Sequence, residues 1–398
     1  MIPRTLEASL QKAAKNYPAI TVTGPRQSGK TTLVRHAFPD HDYISLEDPE
    51  QRAYALDDPR GFLARFADGV VLDEVQRTPD LFSYIQTIVD NEDRPGRFIL
   101  TGSQNFLLLK NISQTLAGRC SVQHLLPFSL DELNGYTPLP LDEIGVTMSG
   151  SRSAPPRSLN ETLFTGFYPR IHDKNLEPQD WLRNYYQTYL ERDVRDLVKV
   201  GDLEAFRRFT ALCAGRCGQL LNLNSLAADC GITHTTARRW LSVLEASFLV
   251  ILLRPHFRNF RKRLVKTPKL YFLDAGLLCY LLRIRDPEEL SLHGARGSVF
   301  ECFVVAELYK RALHAGREPD LYFWRDSTGH EVDVLVERGT AQTPLEIKSG
   351  QTVAADFFKG LDYWRKLANE DEQAAALIYG GDQSYVRRGT AVYTWWAF

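Results

Sequence analysis

An α/β fold in several blocks is predicted for this chain: a parallel-sheet domain first, a mainly helical domain next, and a second α/β domain at the C-terminal end. Two observations predict it. Short apolar runs alternate with helix-like stretches from residue 1 to about 135, as expected of parallel strands joined by covering helices. Aromatic and leucine positions then recur at helical spacing from 159 to about 290, and strand-like segments return after 294.

At 398 residues the chain is longer than one ordinary core serves. Its 44% hydrophobic and 24% charged residues are those of a soluble globular protein. Lys and Arg total 48 against 49 Asp and Glu, so the net charge of -1 selects no class of partner. The placement of the charge matters more than its sum. Six cysteines, Cys120, Cys213, Cys217, Cys230, Cys279 and Cys302, form no Cys-x-x-Cys pair and no zinc-ligand spacing, and are expected to be reduced, buried thiols. The longest notable apolar stretch is Phe248–Leu253, far short of the roughly 18 residues of a membrane span. Met1-Ile2-Pro3-Arg4 leads into an amphipathic segment rather than a signal peptide. A cytoplasmic protein without membrane partners is the expectation.

Candidate strands in the first block are Ala19–Thr23, Tyr43–Leu46, Gly69–Leu72, Arg97–Thr101 and Ser121–Leu125, with helices at Lys30–Ala37, Leu81–Asn91 and Phe106–Leu116. Thr137–Ser158, rich in Pro, Gly and Ser, reads as a linker or exposed loop. Helices are expected at Trp181–Val198 and Leu203–Cys217. The last block reads as a helix at Val299–Arg311, strands at Leu321–Trp324, Glu331–Val336 and Pro344–Ile347, a helix at Ala354–Leu367 and a strand at Ala374–Tyr379.

Gly24-Pro25-Arg26-Gln27-Ser28-Gly29-Lys30-Thr31 fills the eight positions of a phosphate-binding loop, between an apolar strand and a helix. Glycines at both ends let backbone N–H groups turn inward around phosphate oxygens, and the helix N-terminus adds positive partial charge. Lys30 reaches the β and γ phosphates, the Thr31 hydroxyl ligates Mg²⁺, and Thr32 closes the nucleotide-binding segment. Gly69–Leu72 followed by Asp73 and Glu74 supplies the second half: Asp73 to hold Mg²⁺, Glu74 to orient and deprotonate the attacking water. ATP and Mg²⁺ are therefore the expected ligands. After the strand Arg97–Thr101, one of Ser103, Gln104 and Asn105 is placed to touch the γ-phosphate or that water, although Ser103 serves equally as a helix cap. Two roles stay open for Arg119: a finger reaching a neighbouring subunit's nucleotide, or a cation on a helix C-terminus.

On these residues the first domain resembles the AAA+ branch of P-loop ATPases, in particular the bacterial and archaeal group whose C-terminal region is a domain of unknown function. Tyr189-Leu190-Glu191-Arg192-Asp193 and Lys266-Thr267-Pro268-Lys269-Leu270-Tyr271-Phe272-Leu273-Asp274 resemble that group as well, so the likeness covers most of the chain. It implies a homo-oligomeric ring or partial ring, a hexamer being the closed form, with nucleotide at subunit interfaces.

Leu223–Val250 reads as two helices about a tight turn at Gly231, with Thr235, Thr236, Arg238, Arg239 and Trp240 on the second helix, and the strands Phe248–Leu253 and Leu270–Leu273 as a wing. Arg254, Arg258, Arg261, Lys262, Arg263, Lys266 and Lys269, interleaved with Phe257 and Phe260, follow without an acid from Arg254 to Lys269. Such a run is a phosphate-backbone footprint for DNA; subunit packing is the alternative.

In the last block Asp333 lies on one strand, and Glu346 and Lys348 lie two apart on the next, so pairing the strands gathers them on one face. Two carboxylates bind Mg²⁺, and a lysine steadies an attacking hydroxide or a developing phosphorane. Glu301 on the preceding helix completes the set. The arrangement looks like the PD-(D/E)XK nuclease core, with Val332 where proline is usual before the first carboxylate. A surface hairpin with a salt bridge and a nuclease fold that no longer cuts are the alternatives. The expected domains are 1–136 (AAA+ ATPase), 137–200 (connector), 201–292 (winged helix) and 293–398 (nuclease-like).

Overall fold

The computed structural model describes residues 1–92, 94–102, 115–148, 152–189, 203–256, 266–368 and 374–398. Ser103, Gln104, Asn105, Leu190 to Asp193, and the Phe257 to Arg263 part of the basic stretch lie outside the described residues. The chain divides into two compact units.

The first unit holds residues 1–128 with two short later segments. Its sheet contains β1 (Ala19–Thr23), β2 (Asp42–Ser45), β3 (Val70–Asp73), β4 (Phe98–Gly102) and β5 (Cys120–His124), in the order β2-β3-β4-β1-β5. Every neighbouring pair is parallel. Both faces are covered, which explains the unbroken apolar runs of the inner strands. One face packs Ala19, Val70, Leu72, Phe98 and Leu100 under α3 (Pro49–Asp57), α4 (Pro59–Ala64) and α5 (Leu81–Glu92). The other packs Ile20, Val22, Val71 and Ile99 against α1 (Leu6–Ala14) and α2 (Lys30–Ala37). Because the strands are parallel, the ends of β1, β3 and β4 emerge on one edge.

The second unit begins at Ser129, ahead of the expected boundary at 136. Helices Leu203–Ala214, Leu223–Cys230 and His234–Ala246 form one block, fixed by Phe206 and Phe209 against Trp240 with ring centres 5.2 and 5.5 Å apart. Gly231, at φ 70°, makes the left-handed turn between the last two helices. Arg238 and Arg239 are exposed on the second of them.

An eight-stranded sheet follows, in the order β12-β13-β11-β10-β9-β8-β6-β7. Its strands are β6 (Val250–Pro255), β7 (Lys269–Phe272), β8 (Leu321–Arg325), β9 (Glu331–Arg338), β10 (Ala341–Lys348), β11 (Ala376–Tyr379), β12 (Tyr385–Arg387) and β13 (Thr390–Thr394). A helix, Lys359–Ala368, covers it through Leu361 and Trp364. The expected wing strands are thus joined to the C-terminal sheet, because Arg254 and Pro255 pair in parallel with Tyr322 and Phe323 of β8. A boundary at 292 divides elements of one sheet.

The segment expected as a linker or exposed loop is packed instead. Ile144 is buried, Gly145 N donates to Tyr393 Oη at 3.0 Å, and that hydroxyl donates to Thr147 O at 2.7 Å. All six cysteines are free thiols, and all but Cys120 are buried. Among the described residues no helix is long and apolar enough to cross a membrane.

Candidate functional site

The turn from β1 into α2 is a cage built by backbone geometry. Gly24 has φ 150°, and a Cβ there would lie 2.0 Å from Leu125 O, so only glycine fits. Gly29 and Gln27 are also left-handed, at φ 92° and 62°. The Lys30 ammonium, nearly buried, donates to Gly24 O at 3.1 Å and Pro25 O at 2.8 Å. It therefore sits inside the turn at the α2 N-terminus. Among the described residues the buried Ser28 hydroxyl has no hydrogen-bond partner. Behind the loop, buried Arg4 donates to Ser28 O at 2.8 Å and Leu126 O at 2.6 Å, anchoring the cage from outside. Arg26 and Thr32 belong to the same turn and helix, Thr32 on an exposed face.

Asp73, the last residue of β3, meets the cage. Its Oδ2 accepts from Thr31 Oγ1 at 2.8 Å and Tyr43 Oη at 2.7 Å, and Oδ1 accepts from Thr101 Oγ1. Burial, then the Asp73 carboxylate, raises the Tyr43 phenol well above its usual range, so it remains a donor. Threonine hydroxyl beside a fixed carboxylate is a donor pair suited to a hard cation. Glu74 follows in the left-handed region, φ 57° and ψ 43°, and its carboxylate accepts from Gln76 Nε2. This turn takes Glu74 off the β3 line, so Asp73 and Glu74 need not face as neighbours along one strand.

Arg119 is not brought to the cage. It precedes β5, which starts opposite Ala19, at the sheet edge remote from the loop. Its guanidinium is paired with Asp90 of α5.

The second unit gathers another polar cluster. Leu345 of β10 pairs with Val334 of β9, which brings Glu346 and Asp333 alongside each other. Asp333 Oδ2 accepts from Ile347 N at 2.9 Å and from Lys348 Nζ at 3.1 Å; the same ammonium donates to Glu346 Oε2 at 2.7 Å. Burial opposes ionisation of Asp333, but Lys348 and Lys269 outweigh it and hold its carboxyl below the usual range. Burial and then Asp333 push Glu346 well up. Of the two, Asp333 is thus the more readily ionised. Gly360 makes room for it: a Cβ there would lie 2.0 Å from Glu346 Oε1.

Glu301 lies beside this set but is held by other groups, Tyr271 Oη at 2.6 Å and Lys269 Nζ at 3.3 Å. Among the described residues no group of three His, Cys, Asp or Glu is placed to hold a metal ion. Lys269 was expected in the basic footprint. It is buried against Glu301 and Glu331, so it faces no solvent-borne phosphate.

Residues 16–134 match an AAA domain, 156–288 a domain of unknown function (DUF8612) and 296–398 another (DUF4143). The uncharacterized protein Rv2008c of Mycobacterium tuberculosis is 33% identical over 394 residues, 98% of this chain and 82% of that protein. The chain belongs to the family of that mycobacterial protein. Its first unit is an AAA-type P-loop ATPase domain. The uncharacterized protein MJ1544 of Methanocaldococcus jannaschii is 21% identical over 333 residues, 79% of this chain and 71% of that one. Among solved structures, the Walker-type ATPase PABY2304 of Pyrococcus abyssi is similar over 71% of this chain and 96% of that one, at 17% identity and a TM-score of 0.38.

Tyr43, Thr101 and Arg4 in the AAA domain are site residues that motif reading does not single out, whereas in the second unit Lys269 and Tyr271 are read for other reasons, in the basic run and the family-like segment. Thr101 and Tyr43 orient the carboxylate expected to hold Mg²⁺. Thr101→Val is therefore expected to raise the Mg²⁺ concentration for half-maximal ATP turnover by about ten- to a hundredfold. A Mg²⁺ titration at saturating ATP checks this; an unchanged midpoint would remove Asp73 from the ion's shell.

Proposed function

We propose that this protein hydrolyses ATP with Mg²⁺ and uses the cycle to act on DNA, its C-terminal carboxylate–lysine cluster meeting the phosphodiester backbone. The observation that carries the reading is the Lys348 ammonium between Asp333 and Glu346 in a chain that also holds a complete phosphate cage.

In the AAA domain the cage amides and Lys30 hold the β and γ phosphates, and Thr31 with Asp73 would hold Mg²⁺. The ion supplies charge neutralisation on the phosphate oxygens. Glu74 accepts the proton of the attacking water. In a ring of subunits Arg119, partly exposed and at the sheet edge remote from its own loop, would contact the neighbouring subunit.

In the second unit the helices about Gly231, the wing strands and the exposed Arg238, Arg239, Arg254 and Lys266 would grip the backbone as a winged helix does. Asp333 and Glu346 already share one cation, so the donor set fits one divalent ion in its place. The ion would supply Lewis-acid polarisation of a phosphate oxygen. Lys348, released from the carboxylates, would steady the charge that develops at phosphorus.

A second reading has an observation of its own. Asp333, Glu346, Glu301 and Glu331 are each matched by a cation within the chain, which suits a silent docking domain under a nucleotide switch. Mg²⁺-dependent cleavage by the wild type and by Asp333→Ala and Lys348→Ala decides between them. Product from the wild type alone is expected. Equal product from all three would mark a contaminant, and no product with salt-indifferent binding would favour the switch.

A further inference from the structure

β6 changes partner in mid-strand: Val250 to Leu253 pair with β7, and Arg254 and Pro255 with β8. Lys269 stands opposite Leu253, at the point of change. From there its side chain crosses the face of β8, with the ammonium 5.6 Å from the centre of the Phe323 ring. The residue is only 3% exposed. Its ammonium pairs with Glu331 Oε1 and, at 3.3 Å, with Glu301 Oε1. The other Glu331 oxygen is taken by Arg325 Nη1 at 3.0 Å, and Glu301 Oε1 also accepts from Tyr271 Oη at 2.6 Å.

Glu331 and Asp333 lie two apart on β9 and so share a face. The Lys269 group therefore adjoins the Asp333–Glu346–Lys348 group. The two groups hold four carboxylates between them, and these differ in what balances them. Lys348 is about one-third exposed and can turn away from its pair. Lys269 comes from another strand, is buried, and has a carboxylate on two sides; removing it would leave two acids without their shared counter-ion.

We propose that Lys269 stands in for a second divalent cation: the cluster binds one ion, on Asp333 and Glu346, while the ammonium permanently fills the Glu301–Glu331 half. This rests on reading Asp333 and Glu346 as an ion site, and makes Lys269 a positioning residue for it. Glu301 is then no ligand of the ion, in contrast to the role expected of it on the preceding helix.

Counting bound Mn²⁺ by electron paramagnetic resonance tests this in the nucleotide-free full chain. The Asp333→Ala, Glu346→Ala double variant serves as the blank for any ion at the phosphate loop. Wild type is expected to hold one ion above the blank, Lys269→Met two, and Lys269→Arg one. If Lys269→Met does not fold, Glu301→Gln in the otherwise native chain is expected to keep its one ion. Two ions in wild type, one in folded Lys269→Met, or an ion lost in Glu301→Gln would overturn the proposal. No ion above the blank in wild type would instead sink the ion-site reading beneath it, and the role of Lys269 with it.

Discussion

Glu74→Gln is expected to lower ATP turnover by about 10²–10⁴-fold while triphosphate affinity stays within a few-fold of wild type. Glu74 lies directly after Asp73, with its backbone in the left-handed region that a β-strand does not use. An amide in its place keeps the size of the side chain and its ability to accept from Gln76, but takes up no proton. Binding rests on other atoms: the cage backbone and the Lys30 ammonium against the carbonyls of Gly24 and Pro25. Lys30→Ala is accordingly expected to lose affinity and turnover together. Single-turnover hydrolysis beside equilibrium nucleotide binding separates the two variants. Turnover within tenfold of wild type in Glu74→Gln would assign proton removal to another group.

That experiment depends on a part of the molecule legible before any coordinates. The phosphate loop is contiguous, and each of its positions answers to one local requirement, so an eight-residue pattern between a strand and a helix already implies the cage. Asp333, Glu346 and Lys348 are legible for a related reason. The period of two in a strand fixes which side chains share a face, and one hairpin suffices to bring β9 and β10 together.

Lys269 shows where such reading stops. In sequence it closes a run of cations and looks like one more contact to phosphate. Its burial follows from the change of partners along β6 and from carboxylates 32 and 62 residues further on, at Glu301 and Glu331. Tyr43 and Thr101 escape notice likewise, since each reaches Asp73 from a different strand of the sheet. The 137–158 segment misleads through composition: Pro, Gly and Ser suit a linker, yet Ile144 is buried and the backbone at Gly145 and Thr147 bonds to Tyr393 of β13. For Arg119, proximity to a helix end is visible in the sequence. Its place at the amino edge of β5 becomes visible only once the strand order is known.

Stability in the second unit is expected to hinge on Glu307. This carboxylate is 2% exposed and Lys310, one turn along the same helix, is fully buried. One Glu307 oxygen pairs with Lys310 and the other accepts from Leu130 N at 2.8 Å. The Lys310 ammonium also lies 4.0 Å from the centre of the Phe167 ring. Nearby, Asp131 accepts from Arg152 Nη1 at 2.8 Å and Arg311 Nη2 at 3.3 Å. Burial raises the Glu307 carboxyl's pKa and Lys310 opposes that rise, so the ammonium helps keep this carboxyl ionised. Glu307→Ala removes a carboxylate that pairs with the buried Lys310 ammonium and is expected to destabilise the unit by about 3–5 kcal/mol, because much of that ion's desolvation cost is no longer offset. Replacing both, Glu307→Leu with Lys310→Met, removes that ion and should recover most of the loss. A residue of about 1–3 kcal/mol should persist, because Leu130 N then has no acceptor. Urea unfolding of the full chain, followed by the tryptophans of the second unit, measures both variants. If the double variant is as unstable as Glu307→Ala, the stranded charge is not what destabilises the single variant, and the hydrogen bond to Leu130 carries the effect instead.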